Sequence, residues 1–134
     1  MSRAFSTLCK GGIMLLANQI KTARNAARIL SIVLLMLWGT FFIEHLSWFF
    51  VEINNTPPIK IWFAQGLHFL LLIGYITTLK WERIGSALVV VSAVLFFSYV
   101  AGVNAIPFII VSVFPVMLYA FCWIKESKNS STVS

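Results

Sequence analysis

Four long apolar runs occupy most of this 134-residue chain. They cover residues 29–50, 61–79, 84–102 and 107–124, and each is close to the roughly 20 residues that a helix needs to cross a bilayer core of about 30 Å. Because 60% of the residues are hydrophobic and only 10% are charged, too little polar surface remains for a water-soluble domain of this size. The sequence therefore predicts an all-α integral membrane protein, a bundle of four spanning helices at 29–124.

The connections between the runs are short, which constrains how the helices pack. Residues 51–60 contain the turn signal Asn-Asn-Thr-Pro-Pro, and the other two connections cover 80–83 and 103–106. Connections this short make consecutive helices antiparallel neighbours. The polar end of the chain, 125–134, is predicted to be a disordered tail.

A basic segment, 1–28, precedes the first run. Within it, Ile13, Leu16 and Ile20 recur at helical spacing, with polar and basic residues on the opposite side, which predicts a short amphipathic helix. Such a helix could dock on anionic lipid or on a partner protein. The pattern favours the simpler interpretation of a basic leader that sets the topology.

The positive charges give an orientation. Nine of the ten Lys and Arg residues lie in segments 1–28, 80–83 and 125–134, and Lys60 is the tenth. Because Lys and Arg near span ends stay on the cytoplasmic side, the sequence predicts that both ends of the chain are cytoplasmic. The net charge of +6 on so apolar a chain favours the lipid bilayer, and not a nucleic acid, as partner.

Four polar residues fall inside the first two predicted spans: Glu44, His45, Gln65 and His68. Gln65 and His68 share a helix face, and an antiparallel hairpin would bring Glu44 to the same depth. The favoured interpretation is a hydrogen-bonded cluster that fixes the pairing of the two helices. Two alternatives remain open: Glu44 as a proton-titrating carboxylate, and His45 with His68 as ligands of haem or a metal.

No motif of catalysis accompanies this cluster. The sequence shows no nucleophile with a base partner, no phosphate-binding glycine loop and no metalloprotease helix, so we expect neither an enzyme nor a bound cofactor. A second motif, Trp81, Glu82 and Arg83, marks the predicted inner interface. There Trp81 would anchor the membrane boundary, and Glu82 would form ion pairs within the turn or contact a partner.

Short motifs along residues 27–123 resemble a family. They are Ala-Arg-Ile-Leu at 27–30, Phe-Ile-Glu-His-Leu at 42–46, Lys-Trp-Glu-Arg-Ile-Gly at 80–85, and the later residues Asn104, Pro107, Pro115 and Trp123. In this pattern the chain is similar to a group of small, uncharacterised four-span proteins of bacteria, except that His45 and Ser86 replace glycines. The resemblance implies a bacterial inner-membrane protein and singles out Glu44 and Glu82, but it implies no activity.

Together these features favour a non-catalytic accessory or interaction protein, which would bind another membrane protein or a second copy of itself. The alternative is a small proton-coupled transporter or a ligand- or haem-binding bundle that uses Glu44, His45 and His68.

Overall fold

The computed structural model describes residues 2–51 and 58–132, and nearly all of them are helical. Four α-helices follow one another: α1 at Ser2–Val51, α2 at Ile59–Lys80, α3 at Glu82–Ala101 and α4 at Ala105–Thr132. A single residue, Trp81, separates α2 from α3. A 3₁₀ turn at Gly102–Asn104 separates α3 from α4, and Gly102 has the positive φ of 54° that only glycine adopts readily.

The helices pack in a ring in which each contacts its neighbours in sequence and α1 also contacts α4. The core has Trp38 from α1, Leu71 and Tyr75 from α2, and Val89 and Phe97 from α3 at its centre. Across the ring, the backbones of α1 and α3, and those of α2 and α4, lie farther apart in the described residues. Long side chains bridge these pairs, as Trp38 does to Phe97 and Tyr75 does to Ser112. The described part of the chain is therefore all-helical, and helices adjacent in sequence pack side by side.

Three helical stretches are long and apolar enough to cross a membrane: Gly11–Ser47, Ile59–Lys80 and Glu82–Ser131. The sequence predicted four spans, and that count is not matched. The reason lies in the third stretch, which contains both α3 and α4. The stretch folds back on itself at Gly102, since the rings of Phe97 and Phe108 stack across the turn with centroids 5.7 Å apart.

The two ends of the chain differ from the sequence-based expectation. The predicted amphipathic helix at 1–28 is the first part of α1, which continues without a break into the apolar run. The segment predicted as a disordered tail continues α4 as far as Thr132, while 133–134 lie outside the described residues. The two extensions pack on each other: Lys125 Nζ lies 3.4 Å from Gln19 Oε1, and Ile20 and Cys122 are buried.

Candidate functional site

A cavity of about 1090 Å³ lies between the four helices, in the half of the bundle where α1 ends and α2 begins. Its wall is mostly aromatic and aliphatic, because each helix turns its apolar face inward. The residues that line it are Leu37, Trp38, Phe41, His45, Lys60, Ile61, Ala64, Gln65, His68, Phe96, Phe97, Tyr99, Val100, Ala101, Phe108 and Val111.

His68 forms part of this wall and is almost fully enclosed by rings. It belongs to the buried stripe of α2, so helical spacing turns it toward the bundle interior. Its ring centroid lies 4.6 Å from that of Phe96 and 5.5 Å from that of Phe42. Only 3% of the residue is exposed, and its Nε2 has no hydrogen-bond partner among the residues described. A buried polar atom without a partner is unusual.

Gln65 lies one turn before His68 on the same face of α2, as the sequence predicts. Its Nε2 donates to the backbone oxygen of Phe42 at 3.3 Å, so the side chain ties α2 to α1. His45 also lines the cavity, and its Nδ1 lies 2.8 Å from the backbone oxygen of Phe41, one turn earlier in α1. Three of the four predicted intramembrane polar residues therefore meet at one cavity.

Glu44 is the fourth, and the structure does not bring it to the other three. Glu44 is exposed and does not line the cavity, and Gln65 bonds to the Phe42 backbone instead. Helix geometry explains the difference: Trp38, Phe42 and His45 follow the spacing of one face, whereas Glu44 projects about 200° around the axis from Phe42. The expected cluster of Glu44 with Gln65 and His68 is thus replaced by backbone and aromatic contacts.

The predicted inner motif lies at the opposite end of the bundle and forms ion pairs with α1. Glu82 Oε1 lies 3.2 Å from Arg24 Nε and 3.3 Å from Arg28 Nη2. Arg24 also reaches Glu126 Oε1 at 3.0 Å with its Nη2. Sequence reasoning placed the partners of Glu82 within its own turn and missed Arg24, Arg28 and Glu126. The sequence does show five basic residues before the first apolar run. It does not show which of them lie level with the α2–α3 turn.

Trp81 and Arg83 border a groove of about 480 Å³ at the end of the bundle that holds the α2–α3 turn. Lys80 Nζ lies 5.4 Å from the centroid of the Trp81 ring, and Arg83 Cζ lies 5.9 Å from that of Trp123. These are cation–π distances. The groove is lined by Arg24, Lys80, Trp81, Glu82, Arg83, Ile84, Trp123 and Glu126.

Neither the cavity nor the groove brings together a set of side chains that could bind a metal ion, within the described residues. Within 2–51 and 58–132 no three His, Cys, Asp or Glu side chains come together in a way that could hold a metal ion. The haem or metal interpretation therefore has His45 and His68 in one wall as its only structural basis.

Comparison with curated proteins finds no match for this chain, and comparison with solved structures finds none either. A family model does match, over residues 16–132, which is well over half of the chain. The chain belongs to the family described as a domain of unknown function, DUF7670.

Proposed function

We propose that this protein is a non-catalytic, four-span protein of the bacterial inner membrane that binds a hydrophobic small molecule in the cavity between its helices. The observation that carries the proposal is the cavity itself. Its volume of about 1090 Å³ matches the upper end of small-molecule sites, which usually measure some 300–1000 Å³.

Four crossings are supported by the turn at Gly102 and by the charges. Lys80 and Arg83 lie at the same end of the bundle as Arg24 and Arg28, because Glu82 between them pairs with both arginines. Lys60 lies at the other end, where it lines the cavity. With the basic end cytoplasmic, both ends of the chain lie on that side.

The cavity lining indicates the kind of ligand. Aromatic rings favour a flat or flexible apolar body, and no carboxylate lines the cavity among the described residues. Lys60 is the charged residue of the wall, where it would accept an acidic or polar head group. The fitting ligand is a neutral or anionic amphiphile. Proton-coupled transport through Glu44 gains no support, because that carboxylate is outside the cavity.

An accessory role remains a second candidate, favoured by one observation. The first part of α1 and the last part of α4 continue past the α2–α3 turn as a helix pair, joined by the Gln19–Lys125 contact and the buried Ile20 and Cys122. By helix rise, the described part of α1 from residue 11 to Arg24 extends about 20 Å beyond the turn. Such a pair offers a surface for a protein partner.

Photolabelling tests the cavity. The purified full chain is reconstituted in phosphatidylcholine nanodiscs with a fatty acid that carries a diazirine at its chain end, and labelled peptides are mapped by mass spectrometry. We expect saturable labelling of peptides that carry Phe96, Phe97 or Phe108. Ala64→Trp, which fills the cavity, should abolish it. Ala87→Trp is the matched control, because Ala87 is exposed on α3 and outside the cavity.

Labelling that does not saturate, or that both tryptophan variants reduce equally, would show that the probe reaches only the lipid-facing surface. In that case the cavity is not a ligand site. If a membrane protein then co-purifies in a fixed ratio, and the ratio falls when Gln19 and Lys125 are replaced by alanine, the accessory role is the better assignment.

A further inference from the structure

The groove at the inner end of the bundle has the features of a phosphate-binding site. We propose that it binds the phosphodiester head group of an anionic phospholipid, held by Lys80 and Arg83 between the α2–α3 turn and the last turns of α4. This site is separate from the cavity and does not depend on the ligand proposed for it.

The distribution of ion pairs leaves two cations available. Glu82 is taken by Arg24 and Arg28, and Glu126 is taken by Arg24. These pairs lie on the α1 side of the groove. Across 2–51 and 58–132, no ion pair joins Lys80 or Arg83 to a carboxylate. The unpaired positive charge therefore lies on the side of the groove formed by the turn.

Both cations are held in place by indole rings. Lys80 lies over Trp81 and Arg83 over Trp123, and these contacts favour side-chain positions that border the groove. Side chains that are already positioned lose less conformational entropy when a ligand binds. A guanidinium also offers the paired donors that match a phosphate.

The backbone adds donors at the same place. The first helical hydrogen bond of α3 runs from Gly85 N to Trp81 O at 2.9 Å, and no side chain caps the helix. The amides of residues 82–84 therefore have no partner within the helix. They add donors beside the two cations, whereas the dipole of α3 adds little, because α2 ends one residue away with its negative pole.

The apolar surroundings identify a lipid as the source of the phosphate. Trp81 and Ile84 line the groove and are 58% and 65% exposed, and tryptophan at this depth marks the membrane interface. Acyl chains below a bound head group would cover these two side chains. A free phosphate would leave them uncovered. Basic pockets between spanning helices on the cytoplasmic side are a known mode of anionic lipid recognition.

Native mass spectrometry of the full chain in detergent tests the proposal, with phosphatidylglycerol and phosphatidylcholine as the probes. We expect saturable, preferential binding of phosphatidylglycerol. Lys80→Gln with Arg83→Gln should weaken that binding by about tenfold or more, since each basic residue near an anionic surface contributes roughly a factor of five. The control is Lys21→Gln with Lys125→Gln, which changes the net charge equally at the same end without touching the groove.

Three results would overturn the proposal. Equal binding of the two lipids would show that the groove does not select for charge. An equal loss in the control pair would show that net charge alone attracts the lipid. Displacement of phosphatidylglycerol by millimolar inorganic phosphate would identify a site for free phosphate. Unchanged helical circular dichroism and elution volume confirm that each variant is folded.

Discussion

Gly85 of α3 packs directly against the backbone of Thr78 in α2, so closely that a β-carbon on Gly85 would lie 2.6 Å from the Thr78 Cα. The same two helices meet again at Gly74, where a β-carbon would lie 2.9 Å from Val89 Cγ2. Small residues permit such close approach, which is the main source of helix association where lipid surrounds the protein. The α2–α3 hairpin is thus the tightest pairing that these contacts define.

We expect Gly85→Ala to destabilise the bundle by about 1–3 kcal/mol, because the added methyl overlaps rigid backbone and forces the helices apart. The measurement is the free energy of unfolding in mixed micelles. Gly66→Ala is the control: a β-carbon there meets nothing within 4 Å, and alanine raises helix propensity, so its stability should be equal or up to about 1 kcal/mol higher. Equal losses in both variants would contradict the close packing.

Tyr75 gives a second test, of the α2–α4 pairing. Its hydroxyl donates to the backbone oxygen of Ser112 at 2.8 Å, close to the interruption that Pro115 makes in α4. Tyr75→Phe should cost about 0.5–1.5 kcal/mol in unfolding free energy. Tyr99→Phe is the control, because the hydroxyl of Tyr99 has no hydrogen bond among the described residues. A Tyr75 variant as stable as the Tyr99 variant would show that the bond contributes nothing.

The ion pairs at the inner end predict a salt-dependent effect. Glu82→Gln removes the shared partner of Arg24 and Arg28 and should cost about 1 kcal/mol, since the side chains are partly exposed and screened. The loss should shrink in high salt. A double-mutant cycle with Arg28→Met isolates the pair. Coupling near zero at low salt would show that the contact does not stabilise the fold.

The sequence predicted much of this fold because apolar periodicity acts within each helix. The apolar runs fall within the observed helices, although the predicted count of four spans is not matched. Gln65 and His68 share a face as predicted. The small residues Gly85, Ser86, Ser92 and Ala93 recur at seven-residue spacing on one face of α3, and all four are buried. These features depend only on local spacing, which the sequence states directly.

What the sequence did not predict depends on rotation and register between helices. Depth along the membrane placed Glu44 beside Gln65, but rotation about the α1 axis turns it away. Charge spacing placed partners for Glu82 within its own turn, but the register of α1 brings Arg24 and Arg28 to it. Residues 125–132 are polar and were predicted to be disordered, yet they continue α4 as a helix. This helix contacts the first part of α1 through Lys125 and Gln19. Long-range contacts decide all three.

Substitution of His68 tests whether its ring nitrogens contribute to the stability of the protein. Because Nε2 is buried without a partner in the described structure, His68→Phe removes a desolvated polar atom and should leave stability equal or higher. His68→Ala removes the whole ring and should cost about 2–4 kcal/mol. Thermal unfolding of both variants is the measurement. A phenylalanine variant as unstable as the alanine variant would show that Nε2 has a partner of its own.

The number of crossings can be settled by cysteine labelling, because three and four crossings give different patterns at the Gly102 turn. In a chain with Cys9→Ser and Cys122→Ala, single cysteines replace Gly12, Val103 and Ser127. Val103 is 93% exposed and lies in the turn between α3 and α4.

With four crossings, an impermeant maleimide added to intact cells labels residue 103 only, and residues 12 and 127 react after permeabilisation. If α3 and α4 formed one crossing, residue 103 would stay unlabelled within the bilayer and residues 12 and 127 would lie on opposite sides. We expect the first pattern, because Phe97 and Phe108 stack across the Gly102 turn.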